Sequence, residues 1–320
     1  MAARYIRNTL ILAKVETTPG TDASPVGGTD AVLVSDFSIT PLDAQNIDRA
    51  LVRGYFGGSE QLVGTASIKI SFTVELAGSG TAATAPQWGD LLQGCAHAES
   101  LLSTPNRVEY NPVSTSLKTL TIYYYDDGVL HKALYCMGNV KLSAKVSDRP
   151  KLMFDFVGTD GGISAASASG TFTAWKKPVP VTKANVVDVT LGCTYSAGAL
   201  SGGTAYASQG PEFDWGNNVQ FVPTLTYEQV DIIDRSITGK VTFDLTAANE
   251  VSFMATVKAN STQSLGFTLG SAAGNKIIVY APAVQLTNPT KADVQGRRMI
   301  AYDMRLLPSS GNDDILIVTQ

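Results

Sequence analysis

Gly64-Thr65-Ala66-Ser67-Ile68-Lys69-Ile70-Ser71-Phe72-Thr73-Val74-Glu75-Leu76 is the stretch that decides how the chain is read. From Ile68 onward, apolar and polar residues alternate without a break. A strand turns its side chains over every second residue, so this stretch has one dry face and one wet face. Ile68, Ile70, Phe72, Val74 and Leu76 belong to the dry face; Lys69, Ser71, Thr73 and Glu75 belong to the wet one.

The pattern returns as Lys240-Val241-Thr242-Phe243-Asp244-Leu245-Thr246. Setting Ile70 on Val241 aligns Lys69 with Lys240, Phe72 with Phe243 and Val74 with Leu245. Ile47-Asp48-Arg49 has a counterpart in Ile233-Asp234-Arg235, and Phe154-Asp155-Phe156 in Tyr302-Asp303-Met304. These matches keep their order, so the chain reads as one sheet-building unit made twice. The expected division is an N-terminal arm over 1–30, a first domain over 31–160, a linker over 161–184 and a second domain over 185–320. The first copy has extra residues before its central strand, in the loop 50–66, and more between Glu99 and Ser116.

Outward from that strand, Thr9 to Val15 reads as a strand or arm, and Thr17 to Asp30 as loop. Ala31 to Thr40 reads as a strand. Pro86 to Ala96 reads as a short helix with Trp88, Leu91, Leu92 and Cys95 on one face. Lys118–Tyr125 and Val129–Cys136 flank Asp126-Asp127-Gly128 as a hairpin. Val140–Val146 and Lys151–Val157 form a further pair. Gly161 to Gly170 is Gly, Ser and Ala with little to pack, as a linker is. In the second half, a helix is expected over Ala247–Ala259 with Val251, Met254 and Val257 inward. A hairpin follows around Gly274-Asn275, then closing strands at Ala283–Leu286 and Met299–Leu306. The fold class is mostly β: two tandem β-sandwich or barrel domains, each with a short flanking helix.

Composition bounds the function. The 320 residues are 44% hydrophobic and 16% charged, a length that suggests about two domains at ~150 residues each. The net charge of −4 implies no basic surface built to grip nucleic acid. Cys95, Cys136 and Cys193 lack a CxxC spacing and read as reduced, buried thiols. Leu10 to Ala13 is too short for a membrane span, and no cleavage site follows it, so a soluble protein made in the cytoplasm is expected.

No catalytic constellation emerges. His97 and His131 are the two histidines. Cys95-Ala96-His97 offers two zinc ligands but no second pair at ligand spacing, so a structural histidine is the better reading. Asp126-Asp127 and Asp313-Asp314 sit in turn or terminal sequence, where solvated carboxylates are ordinary. There is no Gly-x-Ser-x-Gly elbow, no phosphate loop and no HExxH. Asn260-Ser261-Thr262 is a sequon without a secretion signal. Tyr123-Tyr124-Tyr125 suits a strand with aromatics on both faces rather than a base-stacking platform, and Trp88, Trp175 and Trp215 suit a core or subunit contact. No cofactor and no metal are expected, and enzymatic activity finds no support.

With the repeat in place, the chain resembles the major tail tube proteins of long, non-contractile-tailed bacteriophages. The resembling residues are Leu12-Ala13-Lys14-Val15-Glu16-Thr17-Thr18-Pro19-Gly20-Thr21-Asp22, and Val74 to Ala82 leading to Ala85-Pro86-Gln87-Trp88-Gly89-Asp90-Leu91-Leu92. Asp127-Gly128-Val129-Leu130-His131-Lys132, Lys177-Pro178-Val179-Pro180-Val181 and Leu306-Leu307-Pro308 also fit. The resemblance implies a sandwich or small barrel flanked by a helix and arranged in rings. Six such domains close a ring, so a chain with two closes it as a trimer with pseudo-sixfold symmetry.

It further implies stacking into a virion tail tube assembled in the host bacterial cytoplasm. The tape measure protein and double-stranded DNA would occupy the lumen, with tail terminator and distal tail proteins at the ends. Lumen-lining candidates are then Ser71, Thr73, Glu75, Thr242, Asp244 and Thr246, in a net-negative bore where any lysine sits near a carboxylate. Inter-subunit candidates are Leu51, Val52, Tyr55, Phe56 and Leu62, too much apolar surface for a free loop. The rival reading is a monomeric two-domain β-sandwich that binds carbohydrate or decorates a virion; a weaker third is a hydrolase with a noncontiguous acid pair.

Overall fold

The computed structural model describes residues 3–320. The first half comprises β1 (Thr9–Val15), β2 (Ala31–Val32), β3 (Ser35–Ile47), β4 (Leu62–Glu75), α1 (Gly89–Gln93), β5 (His97–Ser103), β6 (Asn106–Pro112), β7 (Leu120–Asp126), β8 (Val129–Ser143) and β9 (Lys151–Ala165). The second comprises β10 (Val186–Leu191), β11 (Thr194–Ser196), β12 (Ala199–Ser201), β13 (Thr204–Tyr206), β14 (Glu212–Asp214), β15 (Asn217–Pro223), β16 (Glu228–Arg235) and β17 (Thr238–Phe243). It continues through α2 (Ala247–Lys258), β18 (Thr262–Leu269), β19 (Ile277–Val294), β20 (Arg297–Leu307) and β21 (Leu316–Thr319). The protein is mostly β, and its ladders are antiparallel.

The alternation at Ile68–Leu76 does what its period requires. Ile68, Ile70, Phe72, Val74 and Leu76 are buried, while Lys69 is exposed. They join one apolar cluster that runs through both halves, from Ile11, Phe154 and Phe156 to Phe213, Phe243, Phe267 and Tyr302. Each large side chain so buried contributes about 1.5–3 kcal/mol. Asp127 (φ 41°) and Gly128 (φ 93°) both take left-handed backbone at the β7–β8 turn, as a two-residue hairpin demands. β8 runs on unbroken to Ser143, bending at bulges near Ala133 and between Leu134 and Met137, so two expected strands are one.

The first helix is short, but Trp88, Leu91, Leu92 and Cys95 are all buried as expected, and Trp88 Nε1 donates to the Ala77 carbonyl at 2.7 Å. In α2 the inward side differs from expectation. Phe253 is buried and Met254 and Val257 half-buried, whereas Val251 is exposed. Phe253 packs on Tyr206, Phe243 and Tyr302, and that aromatic contact sets the helix rotation. The expected linker also begins later, because β9 continues to Ala165 against Val129–His131. The segment after it is pinned to the body: Thr171 N–H donates to the Gly27 carbonyl at 2.8 Å, and Trp175 Nε1 to the Ala31 carbonyl at 2.8 Å.

The two halves repeat one pairing order. β4 pairs with β9, β9 with β8, β8 with β7 and β7 with β1. In the same way β17 pairs with β20, β20 with β19, β19 with β18 and β18 with β10. The register agrees as well. Ile122 faces Ala133 where Leu265 faces Ala281, and Gly138 faces Phe156 where Leu286 faces Met304. Both β8-to-β19 and β9-to-β20 therefore carry the offset 148 that the Asp155–Asp303 match gives.

Two sequence matches need correction. Ile70 faces Phe156, but Val241 faces Tyr302, so the central strands align two residues away from the sequence match: Phe72 with Val241 and Ile70 with Gly239. A two-residue change leaves every side chain on its face. The Ile-Asp-Arg match joins different limbs of a hairpin. Ile47 ends the outgoing strand β3, whereas Ile233-Asp234-Arg235 ends the returning strand β16. The hairpin tip is 48–61 in the first half and 224–227 in the second, so the longer loop does belong to the first half.

Candidate functional site

Eight strands form one sheet in the spatial order β3–β4–β9–β8–β14–β17–β20–β19. Its seam is β8–β14, where Lys141 faces Asp214, Leu142 faces Phe213 and Ser143 faces Glu212. The first half's strands thus continue into the second half's without an edge between them.

Because period two holds across the ladders, the wet residues align in rows. One row reads Glu75, Lys151, Ser143, Glu212, Lys240, Asp303, Thr287. The row beside it reads Thr73, Met153, Lys141, Asp214, Thr238, Arg305, Gln285. Lys141, Glu212, Asp214, Lys240, Asp303 and Arg305 open on a shared surface groove. Opposite charges sit side by side: Lys141 Nζ lies 3.2 Å from Asp214 and Lys145 Nζ 3.0 Å from Glu212. Lys69 Nζ reaches Asp43 at 2.5 Å, and Arg149 lies 3.5 Å from Glu75. Such exposed pairs contribute little stability, about 0–1 kcal/mol. Their effect is to cancel charge locally. Burial raises the Asp214 carboxyl pKa, but hydrogen bonds from Asn139, Gly216 and Lys141 together outweigh it and hold it below its ordinary range.

Ser71, Glu75 and Thr242 lie on this wet face; Ser71 Oγ hydrogen-bonds Ser38 Oγ at 2.8 Å. Thr73 is on the same face but 7% exposed. β17 ends at Phe243, so Asp244 and Thr246 lie beyond the ladder. Asp244 pairs with Arg297, and Thr246 caps α2 by accepting from the Asn249 N–H at 3.3 Å. The strand stops there because the cap turns the chain into a helix. Leu51, Val52, Tyr55, Phe56 and Leu62 are exposed, with Val52 at 102% and Phe56 at 107% of full accessibility. The loop's base is held by Arg49 and Arg53 on Glu60 and by Gln61 on Asp48.

Where the halves meet, a buried polar network forms that the sequence does not announce. Trp215 Nε1 donates to His97 Nε2 at 2.9 Å, which leaves His97 Nδ1–H to donate to the Cys95 carbonyl at 3.0 Å. Asn217 Nδ2 donates to the Cys95 and Gly138 carbonyls. Burial, above all, lowers the His97 pKa to about 4. With both ring nitrogens engaged, His97 is structural, and no cluster of metal-ligating side chains occurs among the described residues. All three cysteines are buried and free, and burial raises the thiol pKa of each. A second buried network centres on Glu16, which accepts from Gly20 N–H, Tyr135 N–H and the Thr119 and Thr121 hydroxyls.

The sheet thus joins a wet face of side-by-side opposite charges to a hairpin that carries bare apolar residues. The family model described as phage tail tube protein matches residues 6–304. The chain belongs to that family. A comparison with curated proteins finds no match. As a tail tube protein it is a structural component of the virion tail, and its family implies self-assembly into a tube. No helix among the described residues is long and apolar enough to cross a membrane.

Proposed function

We propose that this tail tube protein is two tandem copies of one tube-building unit, over about 9–165 and 186–320, joined by the segment between them. Three chains close a pseudo-sixfold ring, rings stack into the tube, and DNA passes through the bore during ejection. The observation that carries this reading is the β8–β14 seam: inside one chain, one copy's sheet already continues into the next. Closure of such sheets removes free edges, which otherwise invite aggregation.

The wet rows would line the bore. Asp43, Glu75, Asp155, Glu212, Asp214 and Asp303 stand there among Lys69, Lys141, Lys151, Lys240 and Arg305, a lining in which the two signs nearly balance. Balance suits a conduit, because uncompensated Lys and Arg release counterions from DNA and bind it. Asp43 beside Lys69 supports that role, and Lys240 stands between Glu212 and Asp303 in the ladder. The apolar loop 48–61 leaves its own domain to pack on another subunit. Tape measure, terminator and distal tail proteins are the further partners.

Light scattering and electron microscopy of the purified protein test the reading. Trimeric rings or tubes are expected. A stable monomer at every concentration would instead favour the carbohydrate-binding or decoration reading.

A further inference from the structure

A cavity of about 460 Å³ lies where the turn between β8 and β9, the connecting segment, β10 and the start of β14 meet. Its walls include Val181, Val189, Pro211 and Phe267, all buried. Lys183 and Asp188 stand on its rim, both exposed. The size falls within the ~300–1,000 Å³ of small-molecule sites. We infer that this cavity takes a free aromatic α-amino acid, with the ring against Phe267, the carboxylate toward Lys183 and the ammonium toward Asp188. The cavity forms within one chain, so it does not depend on ring closure.

In the first half an aromatic side chain fills the matching place. Ile70 aligns with Gly239, and these face Ile39 and Phe213, so Phe37 corresponds to Pro211. Both strands then slip by one residue: Ser35 faces Thr73 in the first half, and Ser208 faces Phe243 in the second. Within each slip one residue takes left-handed backbone, Asp36 (φ 48°) and Gly210 (φ 87°). On the facing wall Tyr124 corresponds to Phe267, since Tyr124 faces His131 and Phe267 faces Val279. Phe37 and Tyr124 pack edge to face with ring centroids 6.3 Å apart. Gly210 and Pro211 stand where the first half has Asp36 and Phe37, so the second half lacks that ring and keeps its space. A ligand ring restores the edge-to-face pair that aromatic side chains favour.

The walls are fixed before anything enters. Ser147 N–H donates to the Val181 carbonyl at 2.9 Å, and Val181 N–H to the Asp148 carbonyl at 3.0 Å. A Cβ on Gly210 would meet the Ala144 carbonyl oxygen at 1.9 Å, so backbone closes directly on backbone there. Phe267 is stacked on Phe213, with centroids 6.3 Å apart and planes 10° from parallel. Little has to be ordered on binding, which keeps the entropic cost low.

The rim selects the charged end of the ligand. Neighbouring charges are paired, Lys145 with Glu212 and Lys151 with Asp148. Lys183 and Asp188 have no ion-pair partner among the described residues, each other included. They present one charge of each sign at a single opening. An α-amino acid carries a carboxylate and an ammonium on one carbon, with the ring one methylene away. Phenylacetate satisfies Lys183 but meets a like charge at Asp188; 2-phenylethylamine does the reverse. Such mismatches separate ligands that share the ring.

The test uses the unassembled full chain and saturation-transfer NMR with L-phenylalanine, phenylacetate, 2-phenylethylamine and L-leucine. L-Phenylalanine should saturate at roughly millimolar concentration or below, as about twelve non-hydrogen atoms allow. Each of the other three should bind at least ~tenfold more weakly. Pro211→Phe puts the first half's ring into the cavity and should abolish binding with circular dichroism unchanged. If P211F fails to fold, two exposed positions decide. Lys183→Ala should remove the advantage of L-phenylalanine over 2-phenylethylamine, and Asp188→Ala its advantage over phenylacetate; advantages that persist in both variants overturn the proposal. So does the absence of saturable L-phenylalanine binding to the wild-type chain. Binding that survives in folded P211F overturns the location, and equal binding of the three aromatic probes overturns the charge pairing. Tighter binding of N-acetyl-L-phenylalanine amide than of L-phenylalanine assigns the cavity to an aromatic side chain of a partner protein and overturns the free ligand.

Discussion

Acid should loosen the seam between the halves through one residue. His97 is buried, neutral and held by Trp215 on one nitrogen and the Cys95 carbonyl on the other. Its pKa falls from an ordinary 6.5 to about 4 in the folded chain. The unfolded state therefore binds more protons between those values, and stability falls as pH drops through that window. Integrated from pH 7.5 to pH 4.5, the loss is roughly 2.5 kcal/mol at 1.36 kcal/mol per pK unit, a large part of a typical folding free energy. The assay is urea unfolding of the unassembled chain at both pH values. His97→Gln retains an acceptor for Trp215 but no titration in this range, so its pH dependence should be shallower by that amount. Carboxylates titrate in both proteins and cancel in the difference. Identical pH dependence in wild type and H97Q would refute the reasoning.

Deleting 52–63 should leave a folded protein with unchanged circular dichroism that no longer builds tubes in micrographs; normal tubes would refute the loop's role. Glu16→Ala strips the buried Thr119 and Thr121 hydroxyls and the less buried Gly20 and Tyr135 amides of their acceptor and should cost about 2–4 kcal/mol, read as a lowered thermal midpoint. Glu75→Lys combined with Asp303→Lys leaves a lining with seven positive and four negative side chains per chain; assembly should survive while DNA ejection slows in a timed release assay, and unimpaired ejection would place the face elsewhere.

The sequence by itself determined the strand at Ile68–Leu76, its faces, the Asp127-Gly128 turn and the buried Trp88–Cys95 side. Each rests on a local cause: a period of two, a positive φ, or a helical stripe. The exposure of Leu51, Val52, Tyr55, Phe56 and Leu62 was legible for the same reason, since a Gly-rich loop offers them nothing to pack on. Tertiary structure alone decided which matched residues are equivalent. Ile-Asp-Arg recurs on opposite limbs of a hairpin because three residues carry no record of strand direction. It also decided that Thr246 caps a helix, that Phe253 rather than Val251 turns inward, and that β5 and β6 join the second half through β21. The seam itself was invisible in sequence: Glu212-Phe213-Asp214 finds its partner at Lys141–Ser143, some seventy residues away. The charge balance of the wet face was equally hidden, because it is a property of rows across strands, and a row exists only after register is set.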